Sequence, residues 1–346
     1  MDNKVLVLGY FGYASNQLDG QTVKTRSVYE LLKSKEEEIG TLSYFDTQQF
    51  KYSKLSFMKM ISSLINCNKL IYLPAHNNLK YIFPLLFIIS KLKKIDIIYI
   101  VIGGWVEEFL HSKKLHIAML SNIKGIFTES NQMTNNLIVQ YNFSNVITFP
   151  NFRIHTFIPS FKKENDTFKI AYMARIFREK GIDIVFRLAD YIQKTYGNQH
   201  SISIDFYGPI QNDEEDYFRG ELEKHDFVTY KCVLEPDRIY RTLEQYDVVV
   251  LPTRFFTEGF PGTVMDAYIS GVPVIVTKWK YASEFVSHGI SGFIFDLNKE
   301  EDFYNYFDCL YKDRIQLLKM KHGAYEKSKE YSSETAWQIL KRYLVP

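Results

Sequence analysis

The residues best suited to chemistry lie in a loop between a buried strand, residues 247–252, and a short helix that begins near Thr263. The loop carries the carboxylate of Glu258, and the helix ends at Gly271 before another apolar strand, residues 272–276. This strand–loop–helix–strand order is half of a doubly wound sheet, which binds ligands beyond the carboxyl ends of its strands. Because the start of a helix offers N–H groups and the positive end of a dipole, the loop is suited to a phosphate.

Two cations occupy a comparable strand exit earlier in the chain. Arg175 and Lys180 follow a predicted strand, residues 168–174, and precede a helix. Side chains at the carboxyl edge of a doubly wound sheet face its ligand crevice. The alternative interpretation is that Arg175 and Lys180 belong to an ordinary basic loop exposed to solvent, because such a loop contains the same types of residue.

The segment from Glu258 to Asp266 resembles the donor-site motif of glycosyltransferase family 4, in which two acids are separated by seven residues. The family has Glu at both positions, so Asp266 departs from the pattern. Arg175 and Lys180 match the family's Arg…Lys-Gly element. The helix start has a second interpretation, since Thr263 followed three residues later by Asp266 also resembles a capping box, with Asp in place of Glu or Gln.

The resemblance implies a role for each of these side chains. Arg175 and Lys180 would bind the diphosphate of a nucleotide sugar, whose negative charge grows as the glycosidic bond breaks. Glu258 would hydrogen-bond hydroxyls of the donor sugar, and the shorter Asp266 would take the ribose hydroxyls. The catalytic candidates are therefore Arg175, Lys180 and Glu258. The donor-binding candidates are Gly20, Gly104, Gly208, Phe260, Pro261, Gly262, Thr263 and Asp266.

The first 150 residues resemble the family more weakly. A glycine-containing loop, residues 9–20, links the first strand to a helix, which is a phosphate cradle in many α/β proteins and also an ordinary turn. Of the paired glycines found in the family near this point, Gly20 matches and Gln21 does not. Gly103 stands where the family often has a His that points toward the donor sugar.

The strand and helix pattern, taken with the resemblance, predicts an α/β protein of two Rossmann-like doubly wound domains facing a cleft, the GT-B arrangement. Residues 1–160 would form an acceptor-binding domain, and residues 161–325 a nucleotide-sugar-binding domain. The remaining residues, 326–346, would include a helix that crosses back to the first domain. A chain of 346 residues is long enough for two domains.

The resemblance implies a retaining glycosyltransferase that moves a sugar from a nucleotide-diphosphate donor to a glycan or lipid-linked acceptor, in bacterial surface polysaccharide synthesis. We expect no cofactor besides the donor, no required metal, because an aspartate–any–aspartate motif is missing at the strand ends, and no dedicated base. The alternative is a non-catalytic, glycosyltransferase-like binding subunit of a partner enzyme, which Gly103 and Asp266 favour. A nucleotide-sugar epimerase on a similar fold fits the Arg…Lys and Glu…Asp elements less well.

Composition limits the kinds of partner that the protein could bind and the cellular compartment in which it could work. The net charge of +2 gives no strong overall field for nucleic acid. Three scattered cysteines, Cys67, Cys232 and Cys309, indicate neither a zinc site nor a disulfide framework, so a reducing compartment fits best. The first residues do not resemble a signal peptide, and no apolar run approaches the ~20 residues of a spanning helix. These features predict a cytoplasmic protein.

One segment suggests peripheral contact with the inner face of the cell membrane. Residues 81–93 form a candidate helix whose apolar run, residues 81–90, is followed by Lys91, Lys93 and Lys94. Basic residues beside an apolar surface are attracted to an anionic leaflet. The other interpretation is a core helix with a basic end.

Overall fold

The computed structural model describes residues 3–15, 17, 19–161, 166–197, 201–256 and 258–345. The chain divides into two compact units. Unit 1 comprises Met1–Ile154 with Tyr331–Pro346, and unit 2 comprises His155–Glu330. The sequence predicted domain boundaries between residues 160 and 161 and between residues 325 and 326. The boundaries between the two units lie between residues 154 and 155 and between residues 330 and 331.

Unit 1 contains one sheet of parallel strands. They are β1 (Lys4–Gly9), β2 (Thr41–Asp46), β3 (Lys69–Leu73), β4 (Asp96–Ile100), β5 (Gly125–Thr128) and β6 (Val146–Thr148). The order β2-β1-β3-β4-β5-β6 places the point where the winding reverses between β1 and β3. The central strands are buried on both faces, which explains why they appear in the sequence as continuous apolar runs.

Helices cover this sheet. They are α1 (Gly20–Lys33), α2 (Glu36–Ile39), α3 (Leu55–Ile65), α4 (His76–Tyr81), α5 (Phe83–Lys93), α6 (Val106–Leu110), α7 (Lys114–Leu120) and α8 (Asn131–Tyr141), with 3₁₀ turns at Tyr13–Ser15 and Thr47–Lys51. The sequence predicted a single helix over residues 81–93, and the predicted start was wrong, because α4 ends at Tyr81 and α5 begins at Phe83. The structure has a break at Ile82, and Pro84 stands in the first turn of α5, where a missing N–H group costs nothing.

Unit 2 repeats the plan. Its strands are β7 (Phe168–Met173), β8 (Ile202–Tyr207), β9 (Val228–Tyr230), β10 (Val248–Leu251), β11 (Val274–Thr277) and β12 (Gly292–Phe295). All the pairings are parallel, in the order β12-β11-β10-β7-β8-β9. The winding reverses between β7 and β10, which pair directly through Val248 and Ile170.

The helices of unit 2 lie between these strands and after them. They are α9 (Ile182–Tyr196), α10 (Glu215–Leu222), α11 (Ile239–Leu243), α12 (Gly262–Ile269), α13 (Ala282–Phe285), α14 (Glu301–Lys312) and α15 (Arg314–Ser328), with 3₁₀ turns at Arg178–Lys180, Asn212–Glu214, Pro236–Arg238, Leu297–Lys299 and Lys329–Tyr331. In α9, apolar residues recur at helical spacing and are buried, so this helix packs its long apolar side on the sheet.

The last helix, α16 (Ser333–Leu344), belongs to unit 1. Ser332 caps it by accepting a hydrogen bond from the Thr335 amide at 3.2 Å. Trp337 and Leu340 are buried in the same core as the strands β1, β3, β4 and β5. Unit 1 is therefore completed by residues from the far end of the chain. Within the described ranges, no helix is both long and apolar enough to cross a membrane.

Candidate functional site

The candidate site in unit 2 lies where the winding of the sheet reverses. β7 and β10 are paired and parallel, so the segments that follow them leave the same edge of the sheet. The described residues of these segments are 174–181, 252–256 and 258–261. Crevices at such reversal points are the usual ligand sites of doubly wound sheets. The predicted residues Arg175, Lys180 and Glu258 are thus carried by the two strand exits that flank this point.

Two glycines allow the strand exits to approach closely. Gly181 has φ +84°, and an added Cβ would lie 2.0 Å from the carbonyl oxygen of Pro252. Gly208, at the exit of β8, has φ +137°, and an added Cβ would lie 1.9 Å from the carbonyl oxygen of Ala174. Larger residues cannot occupy these positions, so both glycines have a packing role whatever else they contact.

Lys180 and Glu258 form an ion pair between the two exits. Both side chains are largely shielded, at 15% and 16% exposure. The Lys180 ammonium also lies 4.8 Å from the centre of the Phe255 ring. The Thr253 hydroxyl donates to the Glu258 carboxylate at 3.4 Å. The structure therefore brings together two of the three catalytic candidates, which are far apart in sequence.

Arg175 has a different environment. Its side chain is exposed, with the guanidinium carbon 5.2 Å from the centre of the Phe177 ring. No ion pair joins it to another described residue. The hydroxyl of Tyr172 donates to the carbonyl oxygens of Arg175 at 2.9 Å and Lys180 at 3.3 Å, which fixes both ends of the loop. Burial and then the Glu258 carboxylate raise the pKa of Tyr172, so this hydroxyl remains a donor.

The start of α12 is tied to β7. Pro261 is the N-cap residue, and Gly262 and Thr263 are in the first turn. The Thr263 hydroxyl donates to the carbonyl oxygen of Met173 at 2.5 Å. The capping-box interpretation was therefore wrong, because Thr263 lies inside the helix and its hydroxyl donates to a carbonyl oxygen of β7. The amides of Gly262 and Thr263 lie at a helix start, where an N–H group has no intrahelical acceptor.

Asp266 is one turn further along α12 and only 5% exposed. Phe260 is buried as well, and its ring stacks on Phe285 with centroids 4.2 Å apart. Since that side chain packs in the interior, Phe260 could reach a donor only through its backbone. The indole N–H of Trp279 donates to the carbonyl oxygen of Gly259 at 3.2 Å and holds the loop just after Glu258.

Arg254 is a site residue that the sequence analysis missed. Its guanidinium donates to both carboxylate oxygens of Asp183, each at 2.6 Å, and to the carbonyl oxygen of Arg178 at 2.6 Å. Its amide donates to the carbonyl oxygen of Glu179 at 2.8 Å. Arg254 thus connects the loop that carries Glu258 to the loop that carries Lys180. The only sequence signal was a basic residue three positions after the end of a buried strand.

Asp183 is the acidic side of this connection. It also accepts a hydrogen bond from Arg187 at 2.9 Å, and Arg187 in turn donates to Glu300. Burial alone would raise the pKa of Asp183, but hydrogen bonds from Arg254 and Arg187 outweigh burial and lower it. Asp183 is therefore a carboxylate at neutral pH and the centre of a charged network.

Two predicted donor-binding residues lie in unit 1. Gly20 is the first residue of α1, and an added Cβ would find no atom within 4 Å. The preceding Asp19 caps the helix in a capping box with Thr22. Gly104 follows β4 and is buried. Its neighbour Gly103 has φ +77°, a backbone conformation that residues other than glycine rarely adopt.

A buried ion pair stands at the carboxyl edge of the unit 1 sheet. The Lys24 ammonium donates to Glu129 at 2.6 Å and to the carbonyl oxygen of Val101 at 3.0 Å. Burial lowers the pKa of Lys24, and Glu129 acts in the opposite direction. The pair fixes the chain just before Gly103. No sequence motif marked it, since its members are far apart. Among described residues, no three His, Cys, Asp or Glu side chains are grouped so as to hold a metal ion.

Comparisons with known proteins match this architecture. The family model described as glycosyl transferases group 1 matches residues 153–327, which nearly coincide with unit 2. A D-inositol 3-phosphate glycosyltransferase of Pseudarthrobacter chlorophenolicus is 24% identical over 186 residues, covering 51% of this chain and 44% of that protein. The capsular polysaccharide biosynthesis glycosyltransferase CapM of Staphylococcus aureus is 26% identical over 235 residues, covering 65% and 59%. The chain spans about half the length of the curated relatives it matches.

Solved structures match over nearly the whole chain. Sucrose-phosphate synthase from Thermosynechococcus elongatus has a TM-score of 0.75 at 13% identity, covering 99% of this chain and 98% of that one. Anabaena HepE in complex with UDP-glucose has a TM-score of 0.70 at 14% identity, covering 99% of both chains. These similarities confirm the predicted fold class, two Rossmann-like α/β domains of the GT-B type.

Proposed function

The chain belongs to the group 1 glycosyl transferases, and we propose that it transfers a sugar from a nucleotide-diphosphate donor to a glycan or lipid-linked acceptor with retention at the anomeric carbon. The observation that carries this proposal is the shielded pair of Lys180 and Glu258 at the reversal point of the unit 2 sheet. A cation and a carboxylate side by side match a donor whose phosphate is joined directly to a polyhydroxyl sugar.

The donor would be held by complementary groups at the two strand exits. Its diphosphate would be bound by Lys180 and by the exposed Arg175. The amides of Gly262 and Thr263 at the start of α12 would also donate hydrogen bonds to it. Its sugar hydroxyls would donate to Glu258. As the glycosidic bond lengthens, charge collects on the leaving phosphate oxygen, so the attraction to both cations grows toward the transition state. That growth is what distinguishes catalysis from binding.

The reaction needs little further machinery in this proposal. The leaving phosphate accepts the proton of the acceptor hydroxyl, so no side chain is assigned as a base. Arg175 and Lys180 supply the positive charge that a metal ion provides in other transferases, and the proposal includes metal independence. It also places the protein in the cytoplasm, with peripheral contact at the inner face of the cell membrane.

The relatives support the donor and acceptor classes. HepE forms complexes with UDP and with UDP-glucose, which supports a nucleoside diphosphate sugar as donor. CapM is named for capsular polysaccharide biosynthesis, which supports a surface glycan as the acceptor class. The proposal keeps the family 4 assignment that the motifs suggest.

A non-catalytic binding subunit is the second candidate. Gly103 favours it, because this chain has a glycine with φ +77° where the resembling family often has a donor-facing His. A His at this position would be strained in the observed backbone, so the departure extends to backbone geometry.

Transfer kinetics separate the two candidates. A thermal-shift screen of nucleotide sugars identifies the donor, since a ligand at ~100 times its dissociation constant stabilises by about 2.7 kcal/mol. Initial rates of transfer and donor hydrolysis are then compared for wild type, Arg175→Ala and Lys180→Ala. We expect turnover to fall by about 10²–10³, the cost of removing one electrostatic donor in other enzymes.

Arg178→Ala is the matched control, since Arg178 stands in the same loop but its side chain pairs with Glu214. It should keep near-normal turnover. If both site variants also keep near-normal turnover, the placement of the diphosphate is wrong. If wild type binds a nucleotide sugar but neither transfers nor hydrolyses it, the binding subunit is the correct function.

A further inference from the structure

Residues 47–95 of unit 1 have a one-sided charge balance. The stretch contains eight lysines and no aspartate or glutamate, although the whole chain has 42 basic and 40 acidic residues. Six of these lysines are exposed, and the side chains of four of the six form neither a hydrogen bond nor an ion pair with a described residue. The four are Lys54, Lys59, Lys93 and Lys94. Their positive charge is therefore available to a partner.

The same stretch exposes large apolar side chains on two helices. On α3, Leu55 and Met58 are 67% and 69% exposed, and on α5, Ile88 and Leu92 are 56% and 78% exposed. Each helix buries its opposite side in unit 1. Because α3 and α5 contact each other, their exposed sides are neighbours on the surface of the unit.

We propose that this surface binds an anionic lipid bilayer. We call it the lysine face, and define it by Lys54, Leu55, Met58, Lys59, Ile88, Leu92, Lys93 and Lys94. Apolar side chains interspersed with lysines are the pattern of helices that lie in a membrane interface, with the apolar groups in the acyl boundary and the cations at the headgroups. The lack of carboxylates removes the repulsion that acidic residues would meet at an anionic surface.

The lysine face differs from the segment suggested by sequence alone. Phe83, Leu86 and Ser90 of the apolar run 81–90 are buried, so part of that run belongs to the core. The structure adds α3, whose exposed Leu55 and Met58 were not singled out by their sequence pattern. The inference rests on the peripheral membrane contact of the proposed function and assigns that contact to named residues. It is tested apart from the proposed reaction, because lipid binding requires neither donor nor acceptor.

Vesicle sedimentation with the full chain tests the proposal. Vesicles of phosphatidylcholine with and without phosphatidylglycerol are compared at about 0.05 M salt, where exposed charges are weakly screened. Wild type should sediment with the anionic vesicles only. Changing Lys54, Lys59 and Lys93 together to Glu should weaken the partition by about a hundredfold or more. Changing Leu55, Met58 and Leu92 together to Ser should also reduce binding, since the apolar contact is lost.

A matched control lies on α15 of unit 2, where Ile315 and Leu318 are also exposed beside Lys319. The variant Ile315→Ser, Leu318→Ser, Lys319→Glu should bind vesicles as wild type does. Far-ultraviolet circular dichroism confirms that each variant is folded. The proposal is overturned if wild type ignores anionic vesicles, binds neutral ones equally well, or is matched by a folded lysine-face variant. It is also overturned if wild type is a dimer that the lysine-face changes dissociate, since the face would then join two copies.

Discussion

Single residues in the unit 2 site are held by opposite charges before any ligand arrives. Lys180 and Glu258 shield each other, and Thr253 contributes a polar contact to the carboxylate. A cation that is already paired attracts a phosphate less strongly than a free one. The pair therefore sets the balance between binding the diphosphate and binding the sugar.

Glu258→Gln tests that balance. The variant removes the charge that neutralises Lys180, so affinity for a nucleoside diphosphate without sugar should stay the same or rise. Turnover with the nucleotide sugar should fall by about 10²–10³, since the transition-state contact is weakened. Calorimetry with the diphosphate and initial rates measure the two effects. A loss of diphosphate affinity as large as that of Lys180→Ala would contradict this division of roles.

Asp266→Asn tests the ribose assignment. Pro261 occupies the N-cap position of α12 and Asp266 lies one turn inside the helix, so the helix start does not depend on the Asp266 side chain. Asparagine has nearly the same size and shape as aspartate, and the variant should remain folded. Nucleoside diphosphate affinity should fall, because a carboxylate acceptor for the ribose hydroxyls is replaced by an amide. Thr263→Ala is the contrasting variant, expected to cost about 1 kcal/mol of stability through its bond to Met173. Unchanged affinity for Asp266→Asn would refute the assignment.

At the level of elements, the site depends on links between loops that follow different strands. Gly181 permits a close approach to Pro252, Arg254 adds hydrogen bonds to three groups, and Trp279 holds the loop after Glu258. These contacts are charged or aromatic and lie at the edge of the sheet. Loosening them should disturb the geometry of Lys180 and Glu258 without disrupting the apolar core.

Asp183→Asn should destabilise unit 2 in a pH-dependent way. Since the pKa of Asp183 is lowered in the folded state, its carboxylate stabilises the fold above its unfolded pKa, ~3.9, and this stabilisation is lost as the pH falls through the folded value. The variant should therefore be less stable than wild type by about 1–3 kcal/mol at pH 7 and nearly equal to it well below the folded pKa.

Thermal melts across the acidic range measure this effect. Asp216→Asn is the control, since Asp216 is exposed, and it should show little difference at any pH. A deficit for Asp183→Asn that persists unchanged in acid would mean that packing, and not the charge, accounts for it.

Much of the element-level plan was predictable, because buried parallel strands appear as apolar runs and the loops after them carry the glycines. The links between elements were not. Arg254 with Asp183, and Lys24 with Glu129, become partners only when the sheets place their strand exits together. The capping-box interpretation failed for the same reason, since the acceptor of the Thr263 hydroxyl is on β7. The roles of the site residues stay predictions.

At the scale of the whole molecule, each unit has its own core, and α16 completes that of unit 1. Trp337 is 2% exposed there, so Trp337→Ala should cost about 3–5 kcal/mol. Hydrogen exchange should increase in the strands of unit 1 and remain near wild type in those of unit 2. Leu310→Ala, in the core of unit 2, is the reciprocal control. Equal loosening of both units by either change would mean that they do not unfold separately.

The return of α16 also has a consequence for biosynthesis. Arg153 and Ser332 form a parallel bridge, so the chain leaves unit 1 and re-enters it at neighbouring points, with all of unit 2 inserted between them. At about 5–20 residues per second, a ribosome needs roughly 10–40 s to make the chain between Ile154 and Leu344. During that interval the first six strands have been translated without the helix that covers them, while every residue of unit 2 emerges before α16. The unit that begins second is thus the one that can finish folding first, and the first core closes only when residues 333–344 have been made.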